Sequence, residues 1–250
     1  MRFRMSASLR LAAALCMLVS TTACLGTAGD GEAPPNRIIA QNLDIEEGRA
    51  VRFGIAPSEP FAHVLVTFAP ESAGLMLCPL TSVDGEIPSP ARCRVDVGSG
   101  VRETVTTAGL QGVAIVATRG HLDADVTVEF EGPTRAISAV LPEIVAPDAS
   151  CDDEVSCSLL IEVTPFRDGR LEARASWDGP RAELLLLQGR ILARSARATG
   201  LPYRTVSRSA GAAPLSVDGR LSRSGEYALI LRQLAGAASL RDVRIDAAWP

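Results

Sequence analysis

Leu171 to Trp177 reads LEARASW, with Leu171, Ala173, Ala175 and Trp177 on one parity and Glu172, Arg174 and Ser176 on the other. Successive side chains of a strand point to opposite faces, so this is one face of a half-buried antiparallel strand. The same period of two recurs outward in both directions. Val51, Phe53 and Ile55 alternate with Arg52 and Gly54; Val64, Val66 and Phe68 with Leu65 and Thr67; Val126, Val128 and Phe130 with Thr127 and Glu129. Further on, Leu159, Ile161 and Val163 line one face, then Tyr227, Leu229 and Leu231, then Val243, Ile245, Ala247 and Trp249. Leu184 to Leu187 is apolar on both parities and suits a central strand. Gly and Pro punctuate the runs at Pro57, Pro60, Pro70, Gly85, Gly98, Gly109 and Gly120. Asp168-Gly169, Asp178-Gly179 and Asp218-Gly219 read as hairpin turns. No capped helical pattern competes, although Asp44 to Arg52 has room for a helical turn. The predicted fold is all-β.

Three prolines interrupt residues 133–149 (PTRAISAVLPEIVAPDA), which predicts a boundary near Pro147. The expected organisation is two tandem antiparallel β-sandwich, jelly-roll-like domains, residues 37–133 and 148–250, joined by a linker at 134–147. A faint duplication supports it: Leu110-Gln111-Gly112 leads into Val113–Thr118 and then Ala124–Glu131, as Leu221–Gly225 leads into Glu226–Leu231 and then Leu240–Ala248. One larger sandwich is the alternative.

Residues 1–23 predict export. Arg2, Arg4 and Arg10 form a positive n-region before the nine apolar residues Leu11 to Val19, too few for a bilayer, which needs about 20. Small residues then lead into Cys24. The segment resembles a bacterial lipoprotein signal, with Thr21 where such signals prefer Leu. The resemblance implies cleavage before Cys24, its lipidation, a membrane anchor, and residues 24–36 as a flexible tether. An ordinary secretory signal cut after Ala23 or Ala28 is the competing reading. Leu25 lacks the Asp that commonly retains such proteins at the inner membrane, so the expected place in a Gram-negative envelope is the outer membrane. Of six Cys, Cys16 leaves with the signal. Cys78 with Cys93, and Cys151 with Cys157, are the local pairs for an oxidising compartment, which leaves Cys24 for the lipid. A zinc site would need closer Cys spacings and more than two His.

The second half resembles the bacterial pre-peptidase C-terminal family of small β-sandwiches. The likeness rests on GRLEARASWDG (Gly169–Gly179), LLLLQGRILARS (Leu184–Ser195) and SGEYALILR (Ser224–Arg232), with a fainter echo in GVAIVAT (Gly112–Thr118). It implies a non-catalytic accessory domain of a secreted protein. Members often carry a run of acids after the aromatic strand; here Asp178 is followed by Arg181 and a lone Glu183.

All 25 basic residues are Arg, net charge is −4 and aromatics make up 4%, which leaves neither a broad basic field nor stacking platforms for nucleic acid. No Gly-x-Ser-x-Gly, His-Glu-x-x-His or phosphate-binding loop occurs. His63 has outward parity beside Val64, and His121 sits in a turn; both read as solvated. Asp123 and Asp125 share a face and are one calcium pair to consider; Asp148, Asp152, Asp153 and Glu154, beside the Cys151–Cys157 loop, are another. Solvated acids are the competing reading of each. Trp177 and Trp249 fall in phase with core stripes, whereas Tyr203 has a claim to exposure. Residues 37–147 hold 14 acids against 8 Arg, and residues 165–250 hold 8 acids against 14 Arg. Arg174, Arg232 and Arg244 have outward parity and are candidate binding residues, either for attraction between the halves or for an acidic envelope polymer. The expectation is a lipid-anchored, non-enzymatic binding protein of the cell envelope, its partner a protein or an anionic polysaccharide. A hydrolase or protease regulator without a visible motif, and a structural spacer, are the alternatives.

Overall fold

The computed structural model describes residues 36–130, 134–145, 158–189, 204–234 and 238–249. They form strands β1 (Asn36–Ile45), β2 (Ala50–Ala69), β3 (Gly74–Leu80), β4 (Arg94–Val95), β5 (Arg102–Arg119), β6 (Leu122–Phe130), β7 (Ala136–Ile144), β8 (Ser158–Val163), β9 (Gly169–Asp178), β10 (Ala182–Gln188), β11 (Arg204–Gly211), β12 (Leu215–Leu221), β13 (Tyr227–Gln233) and β14 (Leu240–Ala248). One 3₁₀ turn, Pro90–Arg92, is the helical element among the described residues. The all-β prediction holds.

The alternating stripes are what builds the two layers. Val64, Val66, Phe68, Val126, Val128, Phe130, Leu171, Ala175, Val243 and Ile245 all face one continuous core. Strands β2 and β5 bend and serve both layers. Residues 62–69 of β2 pair with β6, and its residues 52–56 pair with β7; β5 follows β2 on its other side through both halves. One layer therefore runs β11-β10-β13-β8-β1-β6-β2-β5 and the other β12-β9-β14-β7-β2-β5-β3-β4. Pro57, Pro60 and Gly109, read from sequence as strand separators, lie inside β2 and β5 at these bends. The ladder loses register there, between Gly54 and Glu59 and again between Glu59 and Phe61, which is how a long strand turns a corner.

Each half of the chain contributes part of both layers, as two sandwiches would. The expected linker is corrected, however. Residues 136–144 are strand β7, hydrogen-bonded to β2 on one side and β14 on the other. A second seam joins β1 to β8 through Arg37–Ala40 and Leu159–Glu162. Residues 34–250 form one compact unit whose core runs from Ile38 to Trp249. Alternating Ile137, Ala139 and Leu141 carry the strand up to Pro142, near its end, so the prolines do not break it. The two strand pairs of the faint duplication, β5 then β6 and β13 then β14, are consecutive in the chain but not hydrogen-bonded to each other in either copy. Asp44–Arg52 is strand, turn, strand. Asp218-Gly219 lies within β12, where Gly219 is required for packing: a Cβ there would stand 2.5 Å from Val206 and 2.8 Å from Leu186.

Cys78 and Cys93 are bonded. The bridge closes a 15-residue span and contributes roughly 3 kcal/mol by restricting the unfolded chain. The loop it pins crosses the outer face of the second layer, where Met76, Cys78, Leu80, Ala114 and Val116 form a small apolar cluster with Ile87. Arg52 donates to the carbonyls of Val83 and Gly85 at 3.4 and 3.1 Å, and Arg244 reaches Asp84 at 2.6 Å. Gly54 makes room beneath, since a Cβ there would meet that of Val83 at 2.8 Å. Cys24, Cys151 and Cys157 lie outside the described residues.

Candidate binding surface

The three candidate arginines do not converge. Arg174 and Arg244 lie on the outer face of the second layer, on β9 and β14, whereas Arg232 lies on the outer face of the first, on β13. Arg244 is held by two carboxylates, Asp84 at 2.6 Å and Asp246 at 2.8 Å. The hydrogen bonds that Arg244 donates to these acids push its guanidinium's pKa up, and Arg244 in turn holds the Asp84 carboxyl below its ordinary value. Arg232 donates from Nε to Glu183 at 2.6 Å, and Arg208 closes on the other oxygen of the same carboxylate, whose side chain is fully buried. Parity had placed Arg232 correctly on the outer face but could not reveal this clamp. Arg174 is exposed and has no ion-pair partner among the described residues.

Ion pairs cross between the two halves in both directions, two with the Arg on the basic second half and two with the Arg on the acidic first half. Arg244 meets Asp84, Arg241 approaches Glu143 at 4.0 Å, Arg37 meets Glu162 at 2.5 Å, and Arg49 approaches Asp242 at 4.0 Å. Every one of these pairs spans the two halves.

The histidines stand apart. His63 faces Glu129 across β6, eight positions from His121, so the two are about 26 Å apart at a strand's rise per residue. The His63 Nδ1 shares a hydrogen bond with the Thr104 hydroxyl at 3.0 Å, and its ring lies 5.2 Å from that of Phe61. His121 is bracketed by Asp44 at 3.0 Å and Asp123 at 3.1 Å. Burial, the first cause, raises the Asp44 carboxyl, His121 opposes that rise, and nearby Glu143, Asp123 and Glu46 add to it. Asp123 and Asp125 do share an outer face but have different partners: Asp125 accepts the Asn42 backbone N–H at 3.0 Å. Among the described residues no three His, Cys, Asp or Glu side chains are grouped closely enough to hold a metal ion. Asp148, Asp152, Asp153, Glu154 and Tyr203 lie outside the described residues. Trp177 and Trp249 are buried, Trp177 donating from Nε1 to the Pro180 carbonyl at 2.7 Å.

A different surface is open. On the outer face at the β6-β2-β5 end of the first layer, Phe61, His63 and Leu65 stand in a row along β2. Leu65 is 38% exposed, and Phe61 and His63 are half-buried. Thr106, Thr104 and Arg102 of β5 lie directly opposite them, all exposed, and Arg102 is tied to Glu129 at 2.5 Å. Among the described residues strand β5 has no partner beyond it along residues 102–106, which leaves its outer backbone edge unpaired there. The sequence carried the signal: Phe61 and Leu65 are apolar residues on the parity opposite to Val64 and Val66. Further along the same outer face, Ile39, Leu160, Ile230 and Leu185 are in register across four strands and are buried.

No protein-family model and no curated protein sequence matches the chain. Among solved structures it is similar to the isomalto-dextranase of Arthrobacter globiformis, solved in complex with panose, at 12% identity over 84% of this chain and a TM-score of 0.24. It is also similar to the N-terminal tandem CBM22 domain of Paenibacillus barcinonensis Xyn10C, at 8% identity over 86% of this chain and a TM-score of 0.25. The chain spans 36% of the length of the first and 79% of the second. TM-scores this low do not establish a common architecture or activity.

Proposed function

We propose that this is a lipid-anchored, non-enzymatic binding protein of the bacterial envelope, exported by its first 23 residues and tethered through Cys24. The observation that supports a binding role is the row Phe61, His63 and Leu65, which presents apolar surface beside the unpaired edge of β5. An exposed strand edge flanked by apolar and hydroxyl side chains suits an extended polypeptide, which adds main-chain hydrogen bonds along β5 and lays alternate side chains on the row. A partner protein of the envelope therefore fits better than an anionic polysaccharide, because Arg232 and Arg244 are already engaged by carboxylates. The resemblance of the second half to pre-peptidase C-terminal domains points the same way, toward an accessory without chemistry of its own.

The test uses the Cys24→Ala protein, secreted without its lipid, and envelope fragments from the same bacterium. It is expected to co-sediment with them, and Leu65→Glu is expected to weaken that binding by about tenfold or more, since a desolvated interface loses both apolar contact and a buried neutral site. Binding that survives Leu65→Glu, or that is lost only with salt and with Arg174→Ser, would refute the assignment of this face. No co-sedimentation at all would refute the binding role.

A further inference from the structure

The bend of β2 carries a carboxylate for which the described residues supply no counter-charge. Glu59 is only 8% exposed, while Ser58 and Pro60 on either side of it are exposed. The register shifts before and after it leave Glu59 opposite Leu110, whose side chain is fully buried. Burial raises its pKa, and no hydrogen bond or ion pair to its carboxylate from the described residues offsets that. Glu59 lines an open groove of about 490 Å³ together with Ser58, Pro60, Thr106 and Thr107.

We infer that this groove binds a primary ammonium group carried on an alkyl stem. The wall offers one carboxylate and three hydroxyls, all able to accept, and no cationic group. An ammonium is a compact charge with three donors, which such a wall satisfies at once, and it cancels the unpaired charge of Glu59. The alkyl stem has Pro60 and Ala108 to lie against. Calcium takes six to eight oxygens, more than one carboxylate and three hydroxyls supply. A neutral sugar leaves the carboxylate charge uncompensated, and the groove wall holds no aromatic ring to stack on it. The site goes beyond the Phe61–Leu65 surface and stands whether or not that surface engages a partner.

The ammonium has two natural sources, a lysine side chain or an amine lipid headgroup, and the probes separate them. The purified full-length protein is titrated with butylammonium, Nα-acetyl-lysine amide and ethanolamine, alongside tetramethylammonium and butanol, while backbone amide shifts of Thr106, Thr107 and Gly109 and the melting temperature are followed. Butylammonium is expected to shift those amides saturably and raise the melting temperature at neutral pH. A lysine source predicts tighter binding of the acetyl-lysine amide, and a lipid source tighter binding of ethanolamine. Glu59→Gln is expected to weaken the effect by about tenfold or more, as removing a charge-assisted contact does. Because only ionised Glu59 attracts the cation, wild-type affinity is expected to fall on acidification through its raised pKa. Equal responses to tetramethylammonium or butanol, equal binding by Glu59→Gln, or no response to any amine would overturn the inference. Envelope co-sedimentation by the same Glu59→Gln protein reads out the other surface, so the two failures are distinguishable.

Discussion

Arg232→Met is expected to destabilise the protein by about 3 kcal/mol, near the lower end of what a broken buried ion pair costs. Glu183 lies on the outer parity of β10, yet its side chain has no exposed surface. Its charge is tolerable because Arg232 donates to one oxygen and Arg208 stands against the other. Deleting Arg232 strands a desolvated carboxylate with only Arg208, which is 62% exposed and well solvated. The loss is mostly the penalty on Glu183 rather than the worth of the pair. The double variant Glu183→Leu/Arg232→Met should consequently recover most of the loss, and a urea-denaturation cycle with both single variants measures the coupling. If Arg232→Met unfolds at the wild-type urea concentration, the clamp carries no weight.

Phe53→Ala should cost more, about 3–5 kcal/mol. Phe53 is fully buried in the N-terminal half of β2, flanked in register by Val113 of β5 and Ala139 of β7. The backbone around it is held on both sides, since β2 is hydrogen-bonded to β5 and to β7 through this stretch. The cavity stays open, and its lost contacts add to the transfer term. Against a total stability of roughly 5–15 kcal/mol, this single change leaves the protein marginal at 37 °C. Circular dichroism melting of the full-length protein measures it, and a shift of only a degree or two would mean that β2 is not central.

The strands were legible because burial on one face imprints a period of two. Leu171, Ala173, Ala175 and Trp177 are buried while Glu172 and Arg174 are exposed, as the alternation says. Leu184–Leu187 is buried on both faces, between β11 and β13. The joining of the halves was not legible. Proline marks a restriction on local backbone, and a strand that carries it near one end, as β7 does at Pro142, keeps the rest of its ladder. Pairing between β1 and β8, which joins Arg37 to Glu162 and Ala40 to Leu159, leaves no local signature at all. The same limit applies to the candidate sites. Outward parity identified Arg174, Arg232 and Arg244 as facing away from the core, but only the fold brings Asp84 to Arg244 or buries Glu183 beneath Arg232. A lone acid between two prolines, as Glu59 is, reads as loop in the sequence, whereas its burial follows from the bend of a 20-residue strand.

The account stands on the two hydrogen-bonded seams that make both layers continuous. Amide hydrogen exchange in the intact protein reads them directly. Within residues 37–40 of β1, 159–162 of β8, 137–141 of β7 and 243–247 of β14, every backbone N–H is expected to be as protected as those of Val113–Ala117 in β5. Separable sandwiches would instead leave these strands as open edges, with every second amide exchanging as fast as in solvent-facing backbone, and that alternating pattern would contradict the fold described.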